Sequence, residues 1–145
     1  MISYVDTSAL VKLLLREDGG AEQVRGILDA SDVAVTSRVT YPEGRAALSA
    51  AMRAGRLVAR EHARSKRDLD RALAALTIVE LDPSVARAAG DVSERFALRA
   101  YDAVHLASAL VVDEGDTVVV TWDRALANAA EAAGLGVAPR EARGA

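Results

Sequence analysis

Ile2-Ser3-Tyr4-Val5-Asp6-Thr7-Ser8-Ala9-Leu10-Val11-Lys12-Leu13-Leu14-Leu15 opens the chain with a short apolar run, one carboxylate, two hydroxyls and a longer apolar run. The first four residues read as a buried strand ending at Asp6. Thr7 and Ser8 suit the cap of a helix that continues through Ala9 to Leu15, until Glu17-Asp18-Gly19-Gly20 interrupts it. Strand, acid, helix is the repeating unit of sheets whose strands run parallel.

The unit recurs. Val33–Ser37, Thr77–Leu81 and Thr117–Thr121 are β-branched runs of strand length, and Gly136–Ala138 offers a short fifth strand. Helical stretches fall between them, over about 21–30, 39–54, 58–76, 83–96, 103–112 and 123–134. Pro42 is tolerable in the first turn of its helix, where no intrahelical N–H is needed. This alternation predicts an α/β fold with a mostly parallel sheet covered on both faces. No linker, repeat or low-complexity segment divides the chain, so residues 1–145 read as a single domain with a frayed tail over 140–145.

Composition narrows the chemistry. The chain is 51% hydrophobic but only 3% aromatic, so its core must rely on close helix packing rather than on large rings. With no cysteine, disulfides, thiolate metal sites and cysteine nucleophiles are excluded. The start does not resemble a signal peptide and no apolar run approaches the roughly 18 residues of a membrane span, which points to the cytoplasm. A net charge of -3 argues at first against a nucleic-acid partner. Setting four acids aside as neutralised by a cation turns 21 acids into 17, against 18 Lys and Arg, almost all of them Arg.

Those four are Asp6, Glu43, Asp102 and Asp123. Asp6 and Asp123 each follow a strand and precede a helix, Glu43 lies in a first helical turn after the second strand, and Asp102 starts a helix. Each alone is explained by the preference of acids for helix N-termini. Together they belong at the carboxyl ends of parallel strands, where ligands bind near a switch in strand order. Converging carboxylates repel one another, and a hard cation such as Mg²⁺ or Mn²⁺ relieves that repulsion with oxygen ligands.

The same residues carry a family resemblance. Val5-Asp6-Thr7-Ser8-Ala9-Leu10 resembles the opening of PIN-domain ribonucleases, and Thr36-Ser37 followed by Glu43 their second block. The segment from Leu98 through Asp102 and His105 to Ala109 resembles the third, and Val120-Thr121-Trp122-Asp123 the fourth. Order, spacing and length are similar to the VapC-type toxins of toxin–antitoxin pairs. The resemblance implies a PIN-like three-layer α/β/α fold with about five parallel strands, and Mg²⁺- or Mn²⁺-dependent endonucleolytic cleavage of RNA. It makes Asp6, Glu43, Asp102 and Asp123 the metal ligands, a VapB-like antitoxin the inhibitor, and a homodimer the assembly. Water activated by a carboxylate-bound cation would leave a 5′-phosphate and a 3′-hydroxyl.

Around the acids, Ser8 and Thr121, with Thr7, are placed to hydrogen-bond a ligand carboxylate; helix capping explains Ser8 equally. His105, three positions after Asp102, reads as packing or solvated, because water on a metal needs no further base. Trp122, Tyr101, Tyr41 and Tyr4, each one or two positions before an acid, could stack unpaired bases, although filling space beside strand ends explains the rings too. Arg45 and Arg124, with Arg38 and Arg99, are candidate phosphate contacts. The Ala-rich stretch 46–52 is suited to a core, dimer or partner contact.

Other families fit less well. A haloacid-dehalogenase-like phosphatase needs a second acid where Ser8 stands. A receiver domain needs paired acids after its first strand and a late Lys, and Lys66 is the last. The remaining rival is a catalytically silent PIN-like module that binds RNA or protein.

Overall fold

The computed structural model describes residues 1–140. The order is β1 (Ile2–Val5), α1 (Thr7–Leu14), α2 (Gly20–Asp29), β2 (Val33–Ser37), α3 (Thr40–Arg53), α4 (Ala59–Ala75), β3 (Thr77–Val79), α5 (Pro83–Phe96), α6 (Ala100–Val112), β4 (Thr117–Val120), α7 (Arg124–Ala132) and β5 (Gly136–Ala138). The sheet runs β3-β2-β1-β4-β5. All four pairings are parallel. The expected tail lies, beyond Arg140, outside the described residues.

Alternation along the strands divides the interior in two. Tyr4, Val35, Val119 and Val137 face one way, against α5, α6 and α7. Val5 and Val120 face the other, against Leu10, Leu14, Leu48 and Leu69 of α1, α3 and α4, and Val24 of α2. Three layers result because neither sheet face tolerates water. Each fully buried Leu or Val contributes about 1.5–3 kcal/mol. Small residues bring the helices close: a Cβ on Gly44 would sit 3.1 Å from the Leu69 methyls, a contact tight enough that Leu69 would have to give way slightly. In the Ala-rich stretch, Leu48 and Ala51 are fully buried and serve the core, whereas Met52 is exposed.

Element ends correct the sequence reading in places. Helix α1 starts at Thr7, not Ala9, because Asp6 rather than Thr7 or Ser8 is its N-cap, accepting from the Ala9 N–H at 2.9 Å. Strand β3 stops at Val79, ahead of Asp82, which caps α5 through the Val85 N–H at 2.8 Å. Helix α6 starts at Ala100, so Asp102 lies within its first turn.

Candidate active site

The strand order reverses between β1 and β4, and Asp6 and Asp123 follow their carboxyl ends, linked through Thr121. Asp6 is 3% exposed. Ser8 Oγ donates to its Oδ1 at 2.8 Å, the Ala9 N–H donates to the same oxygen, and Thr121 Oγ1 donates to Oδ2. Ser8 Oγ accepts from the Trp122 N–H at 2.9 Å, and Thr121 Oγ1 from the Asp123 N–H at 2.9 Å. The two hydroxyls therefore tie the end of β1 to the segment that leaves β4. Asp123 in turn caps α7, accepting from the Leu126 N–H at 2.9 Å.

Glu43 reaches the same region from the first turn of α3. Its Oε1 accepts from Thr7 Oγ1 at 2.8 Å and from His105 Nε2 at 2.6 Å. His105, on α6, bonds through Nδ1 to the Tyr4 hydroxyl at 2.7 Å, and both residues are buried. Asp102 lies one turn before His105 on the same helix, with Arg99 Nε 3.7 Å from its Oδ2. Glu43, Arg99, Tyr101 and Asp102 line a pocket of about 290 Å³. A roomier pocket of about 520 Å³ lies between α2 and β5 and contains none of the four acids.

Burial and neighbouring charge act differently on the acids. Burial pushes Asp102 above the ordinary carboxylate range, and the charges of Asp123 and Glu43 push it further against the pull of Arg99 and His105. Burial also raises Asp6, against the pull of His105 and the bonds from Thr121, Ala9 and Ser8. Glu43 differs: burial raises it, but the His105 bond and charge and the Thr7 bond together win and hold it below its usual value.

Among the described residues, no three His, Cys, Asp or Glu side chains form a ready-made metal cage. The donor chemistry still fits Mg²⁺ or Mn²⁺. The donors are all oxygen and repel one another, and Mg²⁺ commonly binds one or two carboxylates while keeping several waters.

The remaining expectations divide. Trp122 is half-buried against the α1-side core, with the Lys12 ammonium 5.5 Å from its ring centroid. Arg45 donates to the Tyr41 hydroxyl at 2.6 Å on the outer face of α3. Arg38 pairs with Glu80. Arg124 is exposed at the start of α7. Arg99 is the guanidinium that lines the acidic pocket, and Tyr101, 60% exposed, is the ring that does so. His105 is packed rather than solvated, and its bridge from Tyr4 to Glu43 was not read from the sequence. The available signal was the spacing from Asp102 to His105, which fixes a shared helix face but not what lies opposite.

Comparison with known proteins gives a consistent answer. The family model described as "PIN domain" matches residues 3–132. The chain is 46% identical over 138 residues to Ribonuclease VapC45 and to Ribonuclease VapC49, from two strains of Mycobacterium tuberculosis, covering 95% of each chain. Among solved structures it is similar to PAE2754 from Pyrobaculum aerophilum (TM-score 0.69, 25% identity, 94% of this chain and 83% of that one). A toxin–antitoxin complex from Klebsiella pneumoniae shares the fold at TM-score 0.61 and 18% identity, over 83% of this chain and 86% of that one. From the order of its acidic blocks, its strand order and these relatives, the chain belongs to the PIN-domain family, among its VapC members.

Proposed function

We propose that this protein is a divalent-metal-dependent endoribonuclease toxin, held inactive by a VapB-like antitoxin. The observation that carries the reading is that Thr121 links Asp6 to Asp123 where the strand order reverses, while Glu43 and Asp102 line one pocket. The ribonuclease names of the two relatives support RNA as substrate. The toxin–antitoxin complex among the structural neighbours supports the inhibitor.

Asp6, Glu43, Asp102 and Asp123 would hold Mg²⁺ or Mn²⁺. Such an ion supplies an acidified water and neutralises charge on the phosphoryl group. The chain's own residues do the rest. Ser8 and Thr121 aim Asp6 by donating to both of its oxygens. Thr7 and His105 hold Glu43 as an ionised acceptor. Arg99, at the pocket mouth, is suited to a substrate phosphate, and Tyr101 offers an open face to an unpaired base. Trp122, Arg124 and Arg45 would add further RNA contacts, and a homodimer of the toxin would assemble through helix faces.

The test is incubation of purified protein with total RNA in Mg²⁺, Mn²⁺ or EDTA, beside Asp6→Asn and Asp102→Asn. Discrete cleavage that requires metal and vanishes in both variants is expected. Silence of the wild type on every RNA tried would favour the catalytically silent binding module, and cleavage surviving both substitutions would place the chemistry elsewhere.

A further inference from the structure

A buried chain of hydrogen bonds crosses the molecule behind the acidic pocket. Tyr4 stands on the central strand β1 and is wholly buried. Its hydroxyl meets His105 Nδ1 at 2.7 Å, and the two rings pack edge to face with centroids 5.8 Å apart. From the far side of the imidazole, Nε2 meets Glu43 Oε1 at 2.6 Å. An ionised carboxylate only accepts, so Nε2 carries the proton of that bond. His105 has 2% of its surface exposed, so it lies behind the pocket rather than in it.

The imidazole lies one helical turn from Asp102, on the same face of α6. That helix therefore presents one pocket acid itself and grips the other through His105. We propose that Tyr4 and His105 are positioning residues: a strut, anchored on the sheet, that sets the separation of Glu43 from Asp102 and with it the affinity of the pocket for a divalent cation. Neither touches substrate. The strut explains why a histidine and a tyrosine are buried here with both polar ends occupied, where apolar residues would fill the volume at less desolvation cost. The inference rests on the metal-binding reading of the same site.

Two substitutions at one position separate aim from bulk. In His105→Gln the side-chain amide can stand where Nε2 stood and keep a donor on Glu43. In His105→Asn it stands near Nδ1, keeps Tyr4 and leaves Glu43. Mn²⁺ binding is measured by calorimetry, with a thermal melt to establish folding. The expected result is a loss of about 10–100-fold for His105→Asn, the range for removing a partner behind a ligand, and a smaller loss for His105→Gln, which keeps the donor on Glu43 but gives up the anchor on Tyr4. Equal affinities in folded Gln and Asn variants would overturn the strut. If His105→Asn fails to fold, Tyr4→Phe decides: weaker Mn²⁺ binding upholds the strut, and unchanged binding overturns it. If the wild type binds no Mn²⁺, the metal reading fails by itself, and the His105 ring N–H signal then judges the contact. A slowly exchanging Nε2–H lost in Glu43→Ala upholds it, and its absence from the wild type overturns it.

Discussion

Thr121 donates its hydroxyl proton to Asp6 across 115 positions of sequence, and the same oxygen receives the N–H of Asp123. One side chain thus binds two proposed ligands to each other. In Thr121→Val, of nearly equal shape, Asp6 loses a donor in a site that excludes water. Stability should fall by about 1–3 kcal/mol, read as a shift in the denaturation midpoint. Divalent-metal affinity should weaken by about 10–100-fold.

Asp6 caps α1 and is also a proposed metal ligand, and two substitutions pull these duties apart. Asn caps as well as Asp, so Asp6→Asn should fold with little loss while cleavage of RNA disappears. Asp6→Ala also loses the cap and should cost about 0.5–2 kcal/mol more. Chemical denaturation of both variants beside a cleavage assay checks the separation; equal stability would remove the capping role.

The pH dependence of the metal-free protein should have a definite sign. Burial raises Asp6 in the folded state above the ordinary aspartate range, and burial with the charge of Asp123 raises Asp102. The folded state then holds protons that the unfolded chain has released. Stability from these two groups is present at low pH and is lost as pH rises through their raised values. Glu43, held low, acts in the opposite direction at the acid end: its contribution fades as pH falls through its folded value. Melting in EDTA across about pH 4 to 8 should show the decline in wild type and a flatter curve in Asp6→Asn. Mg²⁺ should raise the melting temperature most at the upper end.

Tyr101 and Trp122 should respond differently to alanine. Tyr101 projects from the pocket wall, 60% exposed, so Tyr101→Ala should leave stability within about 0.5 kcal/mol. Its loss should weaken binding of single-stranded RNA by about 1–3 kcal/mol if a base stacks there. Trp122 packs on the α1-side core, and its truncation should destabilise the fold. Anisotropy titration of a labelled RNA with each folded variant reads both effects. A Trp122→Ala protein that folds normally and binds RNA unchanged would remove that residue from the substrate path.

The layers and the sheet were legible because β-branched runs alternate with helical ones, and because acids recur at the junctions. Convergence of Asp6 with Asp123 followed from one rule about parallel sheets. The grip on Glu43 was not legible. Tyr4 on a strand and His105 on a helix lie 101 positions apart, and no local pattern says that two buried polar ends will meet. Exposure was hidden for a related reason. Tyr101 and Trp122 each precede an acid by one position, yet one lies at the start of a helix open to solvent and the other in a strand–helix turn against the core.

Both outer strands of the sheet, Thr77–Val79 and Gly136–Ala138, are only three residues long. An edge this short offers an incoming chain very few free amides and carbonyls, too few to template another strand. The molecule is thereby protected from growing by sheet extension into fibrils or swapped ladders. Any association with a second copy or a partner would then fall to its helical faces, where side chains rather than backbone select the company it keeps.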